Sequence, residues 1–522
     1  MKKNIINKTI QLALCGAMLM GAGSGCKKFL EEQDPSNLGP DSYFTLPEHA
    51  DAAVYAAYAR LRFIGEGAGI FTNNYVLLDA PTGTVITKTA QNSDLNNLLG
   101  LVYDGDNLQI GNWWKGLYRE IAQTNLVLDN VPKINPMDET ARKKVLGEAR
   151  FLRAMAYFYA VRMWGDVPLI LKSQTPQSSD FSPSRTSAEQ VYNTIVDDLK
   201  TAEAAGLPWK DNTGRASTAA VKALLAKVYL TMAGFPLNKG QAYYKLAADK
   251  SKEVIDYANA HTSDIGLFTN YDDLHSVANN NRLEHLFEVQ YLSGVEENPL
   301  QTVMLPNNSQ PDISAKGSGQ GTEVPSPSFY DSYKKFEPTD KRTDQQQFFY
   351  TYYFFKGSGD TIKLGVPYIY KHFDVTCHGT SGKPGTGVSS LNVPLIRYAE
   401  VLLMYAEAQN RADGTPNADA YTALNAIRQR ANLPVKAGLS QSDFEQAVWR
   451  ERWHELCYEG VIWFDMLRLR KVYNEDTNGF DDFVGHALKT NGAVLAKKHL
   501  LYPLPVFEMK NNPNLKPQNE GY

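Results

Sequence analysis

Apolar positions along the chain recur mostly at helical spacing. Between Glu139 and Trp164, Leu152, Met155, Tyr159 and Met163 follow i, i+3, i+7, i+11, and Ala149, Ala156 and Ala160 make a neighbouring stripe of small side chains. A large stripe beside a small one lets other helices approach closely on both sides. Gly165 and Pro168 then stop the helix. The same design returns after Arg215, where Ser217 or Thr218 can cap. Val221, Leu224, Leu225, Val228 and Met232 form its large stripe, Ala219, Ala223 and Ala226 its small one, and Gly234 and Pro236 its end. Further helices are expected at about 47–64, 113–131, 187–205, 241–259, 397–412, 417–432 and 441–458. Ser440-x-x-Asp443 announces the last as a capping box. Helices of this length in consecutive antiparallel pairs predict a mainly α, helical-repeat body, although no strict sequence repeat is present.

Two regions break the pattern, at about 65–112 and 291–394. Asn307-Asn308-Ser309, Gly317-Ser318-Gly319 and Pro325-Ser326-Pro327 are separated from aromatic, strand-like runs at Phe348–Phe355 and Pro367–Phe373. Ordering loops this long costs conformational entropy, so they point to function carried on a rigid scaffold of about 47–64, 113–290 and 395–470.

The start of the chain reads as a targeting segment. Lys2, Lys3 and Lys8 precede an apolar run from Leu12 to Met20, and Gly23-Ser24-Gly25 lead into Cys26. That run is about half of the ~20 residues a spanning helix needs, so residues 1–25 are expected to be a removed signal peptide. Small residues before a Cys resemble a bacterial lipobox, which makes Cys26 the expected lipid attachment site. Gly23 stands where that pattern favours Leu. Residues 26–46 are then a polar tether and 47–522 the body, with membrane attachment through lipid only.

Composition narrows the class. Hydrophobic residues are 43% and charged residues 21%, as in a packed globular body. Loss of Lys2, Lys3 and Lys8 takes the formal net charge from −4 to −7, and without clustered Lys and Arg no nucleic-acid partner is expected. Once Cys15 has left and Cys26 is acylated, Cys377 and Cys457 remain, which is no disulfide scaffold. No Cys/His spacing suits zinc, and neither metal nor cofactor is expected.

Several ordered blocks then match one family. Glu148-Ala-Arg-Phe-Leu-Arg-Ala-Met-Ala-Tyr157 with Trp164-Gly-Asp-Val-Pro168 resembles the SusD/RagB family of Bacteroidetes outer-membrane lipoproteins. So do Arg215-Ala-Ser, Arg397-Tyr-Ala-Glu400, Leu424-Asn-Ala-Ile-Arg428, Glu451-Arg-Trp-His-Glu455, Trp463-Phe-Asp465, Tyr502-Pro-Leu-Pro505 and Asn512-Pro-Asn-Leu515. The resemblance implies about four helix pairs like tetratricopeptide repeats, with loops packed on them. It also implies a non-catalytic protein on the outer membrane, facing the cell surface in the family's manner of capping a SusC-like TonB-dependent transporter. Such a protein holds a glycan, or in some members a peptide, and passes it to the barrel.

Within the family blocks, Glu148, Arg150, Arg153, Arg397, Glu400, Arg428 and Arg452 are expected to pair across helix seams, and Trp113-Trp114 to place at least one ring in the core. Sugar binding needs aromatic faces for C–H surfaces and planar polar groups for hydroxyls. The loop residues selected on that ground are Tyr75 and Tyr291 for stacking, with Asn73, Asp79 and Asn298 for hydroxyls. Two other classes compete. A glycosidase needs two carboxylates across a cleft, for which Asp79 with Asp104 or Asp272 with Asp273 could be named. A zinc protease needs a second His four residues after His454, where Tyr458 stands. A pure protein adaptor would have little use for aromatic, glycine-rich loops.

Overall fold

The computed structural model describes residues 43–66, 73–89, 92–174, 178, 181–306, 319, 321–354, 361–375 and 389–522. The signal segment, Cys26, nearly all of the tether and Cys377 lie outside the described residues. Cys457 is buried with a free thiol.

The molecule is mainly helical. Its long helices are α1 (Pro47–Arg60), α2 (Leu108–Asn130), α3 (Glu139–Trp164), α4 (Ala188–Glu203), α5 (Thr218–Ala233), α6 (Gln241–Ala260), α7 (Tyr398–Asp413), α8 (Ala418–Arg430) and α9 (Gln441–Leu456), with the shorter α10 (Ile462–Leu469) after them. Local chemistry fixes where they start. Asn107, Asp138, Ser217, Asn417 and Ser440 each accept a first-turn backbone N–H at α2, α3, α5, α8 and α9. The Asn107 cap starts α2 ahead of Trp113, where the apolar pattern had placed its beginning. Of the residues expected on the large stripe of α3, Leu152, Met155 and Met163 are buried, as are both Trp113 and Trp114. No helix among the described residues is long and apolar enough to cross a membrane.

From α2 to α9 each helix packs on the next. Trp113 meets Tyr159 while Asn125 meets Arg153, so α2 and α3 run antiparallel. Contacts of Arg153 with Asp198 and of Phe158 with Tyr192 set α4 antiparallel to α3. These eight helices make four pairs, and the third is split. Gln241 donates to the Ala412 carbonyl at 2.6 Å, joining α6 to α7 although residues 261–397 intervene in sequence. The expected scaffold segment 113–290 is therefore too long. α-Helix ends at Ala260, followed by 3-10 turns and strand β2 (His285–Val289). With β1 (Val85–Ile86) preceding it, the later strands are β3 (Val324–Pro325), β4 (Phe349–Phe354), β5 (Thr361–Ile369), β6 (Val393–Arg397), β7 (Lys471–Asn474) and β8 (Gly479–Asp482). They form four two-stranded antiparallel ribbons, β1–β3, β2–β6, β4–β5 and β7–β8.

The charged family residues pair between elements. Arg215 grips Glu148 at 2.8 Å, and Arg150 and Arg153 share Asp198. Arg397 reaches Glu284 at 2.5 Å and Glu459 at 2.6 Å, and Arg428 holds Glu451 at 2.9 Å. Glu400 takes Lys227 at 2.9 Å, and Arg452 takes Asp465 at 2.7 Å. Forked guanidiniums satisfy several carboxylate oxygens at once, which is what makes such buried charge tolerable.

Candidate functional site

The two loop-rich regions are brought together on one side of the helices. Lys88 N donates to the Gly321 carbonyl at 2.8 Å, extending the β1–β3 ribbon. The Tyr291 hydroxyl and Pro299 lie over Gly65, a close approach that leaves no room for a Cβ. Asn298 N donates to the Ser389 carbonyl, and Ser293 N to the Ser390 hydroxyl, both at 2.9 Å. Beneath these loops Leu305, Val324, Tyr350, Leu364, Tyr370 and Phe373 form a small hydrophobic core separate from the main one. The result is a loop layer with its own interior, seated on the scaffold.

The five residues selected for ligand contact are all in the supports of this layer. Asn73 donates to the Gly65 carbonyl and accepts from Tyr75 N at 2.8 Å, closing a local turn. Tyr75 is 1% exposed, and its hydroxyl donates to the Tyr458 carbonyl at 2.8 Å. Asp79 is buried behind it and accepts a backbone bond from Gly460. Tyr291 is covered over Gly65, with its N–H on Asn392. Asn298 donates to the Leu391 carbonyl at 2.7 Å and accepts from Leu300 N at 2.8 Å. All five side chains expected to stack on or hydrogen-bond a sugar are buried in the structure. The same amphipathic groups that suit a sugar also suit tying loops to a core, and here they are used for tying.

Tyr352, Leu292 and Val295 instead turn outward from the layer. Tyr352 lies on β4 two residues after the fully buried Tyr350, so a regular strand would point both rings the same way. The β4–β5 register shifts between those two residues, and Tyr352 emerges 39% exposed. The aromatic run containing it is visible in the sequence; the register shift that exposes it is not.

Buried carboxylates shift in opposite directions according to whether cations reach them. Burial raises the Asp79 carboxyl to about 7 and lifts Glu323 well above the carboxylate range, with the Asp79 charge adding to the latter. Asp79 Oδ2 and both Glu323 carboxylate oxygens have no hydrogen-bond partner among the described residues. On the scaffold side, burial alone would raise Glu459 and Asp465. Arg397 and Lys371 outweigh it at Glu459, Arg452 and Arg468 at Asp465, and both are brought to about 2. Glu337, Asp340 and His454 lie close enough together to suggest a cation site. Arg428 already holds Glu337 at 2.8 Å and Arg342 holds Asp340 at 2.8 Å. Burial and nearby Arg342, Arg450 and Arg428 keep His454 neutral, so the donor set is already occupied by guanidiniums.

Known proteins resemble the chain over nearly its whole length. The SusD family model matches residues 283–522, and a model described as starch-binding associating with outer membrane matches 28–230. A SusD superfamily protein of Parabacteroides distasonis has a crystal structure that superposes with a TM-score of 0.84 at 37% identity, covering 91% of this chain and 99% of that one. SusD-like protein P2 of Formosa agariphila is 28% identical over 525 residues, 95% of this chain and 97% of its own. The starch-binding protein SusD of Bacteroides thetaiotaomicron is 24% identical over 519 residues, 87% of this chain and 86% of its own. With four helix pairs, a loop layer seated on them and these matches along both halves, the chain belongs to the SusD/RagB family.

Proposed function

We propose that the protein captures a glycan on its loop layer, without altering it chemically, and passes it to a SusC-like TonB-dependent transporter in the outer membrane. Lipid on Cys26 holds it there, facing the cell surface, with residues 26–46 as the tether. The observation that carries this reading is the assembly of both loop-rich regions into one layer with its own core, which exposes Tyr352, Leu292 and Val295 while the helices beneath stay rigidly paired. The exposed face of the Tyr352 ring suits the C–H face of a pyranose. The match to a family described as starch-binding and associating with the outer membrane supports both cargo and location. Transfer to a barrel requires modest affinity, and a surface layer that leaves part of the ligand in water provides it.

Calorimetry of the purified chain against a panel of polysaccharides, oligosaccharides and short peptides tests this. Binding of at least one glycan without release of reducing ends is the expected result. Binding of peptides alone would move the cargo to the peptide class, and hydrolysis of a bound glycan would make the protein an enzyme. Co-purification of a large TonB-dependent barrel with the tagged, lipidated chain tests the partner.

A further inference from the structure

A cleft of about 420 Å³, lined by no residue of the loop layer, lies where the C-terminal ends of α3, α5 and α10 meet the closing segment of the chain. Tyr192, Phe464, Leu467 and Leu501 give it an apolar lining, and Phe235 stands 43% exposed at the edge. Clefts of this size ordinarily accept small molecules.

The charge network beneath it is one anion short. Its cations are Arg162, Lys227, Arg452 and Arg468, and its carboxylates are Glu400, Glu407 and Asp465. Lys227 takes Glu400 at 2.9 Å and Arg452 takes Asp465 at 2.7 Å. Arg468 takes Glu407 at 2.5 Å and Asp465 at 2.7 Å. Arg162 forms no ion pair among the described residues. Its Nε donates to the Phe158 carbonyl at 2.9 Å, and its guanidinium lies 3.7 Å from the ring centroids of both Phe158 and Phe464. Held between two ring faces, it lines the cleft as a fixed, partly exposed cation.

Two further arginines of the cleft share this condition. Arg185 donates only to neutral oxygens, the carbonyls of Asp166, Trp164 and Pro517 and the amide of Asn519. Arg470 lies 5.2 Å from the Phe235 ring centroid and forms no ion pair among the described residues. Other charges at the cleft are already engaged. Lys497 pairs with Glu520 at 3.0 Å, Lys498 lies over Tyr522, and Asp166 accepts the Ala188 N–H at 2.7 Å. Burial holds Arg162 down at about 10, outweighing the more distant charges of Glu400 and Asp465, and it lowers Arg185 against Asp166 and Arg470 as well.

We propose that this cleft is a second binding site, which takes a carboxylate-bearing ligand the size of one sugar or amino-acid residue. The carboxylate meets Arg162 and completes the network, Arg185 and Arg470 guard the rim, and the hydrocarbon face of the ligand lies on Phe464 and Phe235. A carboxylate matches Arg162, the one cation of the buried network without an ion pair among the described residues, and the apolar lining selects an acid carried on a ring or hydrocarbon body. The site shares no residue with the loop layer, so it stands or falls separately from glycan capture there.

Calorimetry of the purified chain with sodium glucuronate, its methyl ester, N-acetylphenylalanine and its amide tests the site. At least one carboxylate is expected to bind, with its uncharged counterpart at least about tenfold weaker. Preference for glucuronate assigns a sugar acid, and preference for N-acetylphenylalanine a peptide terminus. R162M should abolish binding with only a small change in melting temperature, because the replaced cation gives up one hydrogen bond and no ion pair, and methionine keeps contact with the rings of Phe158 and Phe464. R470G, at a position with φ of 56°, keeps the fold and should weaken binding even if R162M does not fold. Failure of both carboxylates to bind, or binding unchanged in both variants, would overturn the proposal.

Discussion

The seam of α5, α7, α9 and α10 and the Asp79–Glu323 pair of the loop layer bury carboxylates in opposite ways. Along the seams of α5, α7, α9 and α10, carboxylates such as Asp465 and Glu407 meet forked guanidiniums at 2.5–2.7 Å. In the loop layer, Asp79 and Glu323 are sealed in with carboxylate oxygens that have no hydrogen-bond partner among the described residues. A seam of paired charge is intolerant of loss, since removing one partner strands the other in a poorly polarisable interior. A pair of orphan carboxyls is tolerated only while protonated. The comparison teaches that the seam is held by ion pairs and the Asp79–Glu323 pair by protonation, so the two should answer differently to mutation and to pH.

The sharpest break should come at the seam. Arg452→Met leaves Asp465 short of a partner and should destabilise the protein by about 3–5 kcal/mol, read from the denaturant midpoint. A loss below about 1 kcal/mol would mean that the seam pairs are incidental.

Titration should separate the regions in opposite directions. Asp465 is depressed to about 2, so its stabilisation is present above its ordinary pKa near 4 and is lost as pH falls through about 2. It amounts to roughly 2–3 kcal/mol. Asp79 is raised to about 7, so the fold holds its proton more tightly than the unfolded chain does. Stability from this side is intact below pH ~4 and declines as pH rises through about 7. The double variant D79N/E323Q should flatten that alkaline decline and gain about 1–3 kcal/mol at pH 8. An unchanged pH profile would remove the orphan pair from the account.

A smaller effect is expected at the outer face. Tyr352→Ala should reduce affinity for a bound glycan by up to about tenfold, the worth of one aromatic contact. Stability should move by no more than about 0.5 kcal/mol, because the ring is partly exposed. Tyr75→Ala should do the reverse, lowering stability through a cavity and a lost hydrogen bond to Tyr458.

These contrasts follow how much each region could be read from the sequence. Helical periodicity placed α3 and α5 closely, because stripes such as Val221, Leu224, Leu225 and Val228 are repeated many times along one face. Short-range chemistry added the Ser440 cap. The split third pair was not legible, since nothing local tells α6 that its partner α7 lies beyond residue 397. The burial of the expected contact residues was not legible for a related reason. Asn73, Tyr75, Asp79, Tyr291 and Asn298 are polar and aromatic residues in loops, and composition does not distinguish a loop's outer surface from its anchor points. That distinction came from Gly65 beneath Tyr291 and from the register shift that exposes Tyr352. The family-block charges were legible as seam pairs because Arg and Glu on helices with a large buried face have few other places to go.

The central claim is that the loop layer binds the cargo while the helices only support it. Amide hydrogen exchange with and without a glycan that binds in calorimetry tests this most directly. The account predicts slowed exchange within 85–89, 292–299 and 349–352 and unchanged exchange in α2 to α9. Protection confined to the helices, with the loop layer unaffected, would contradict it.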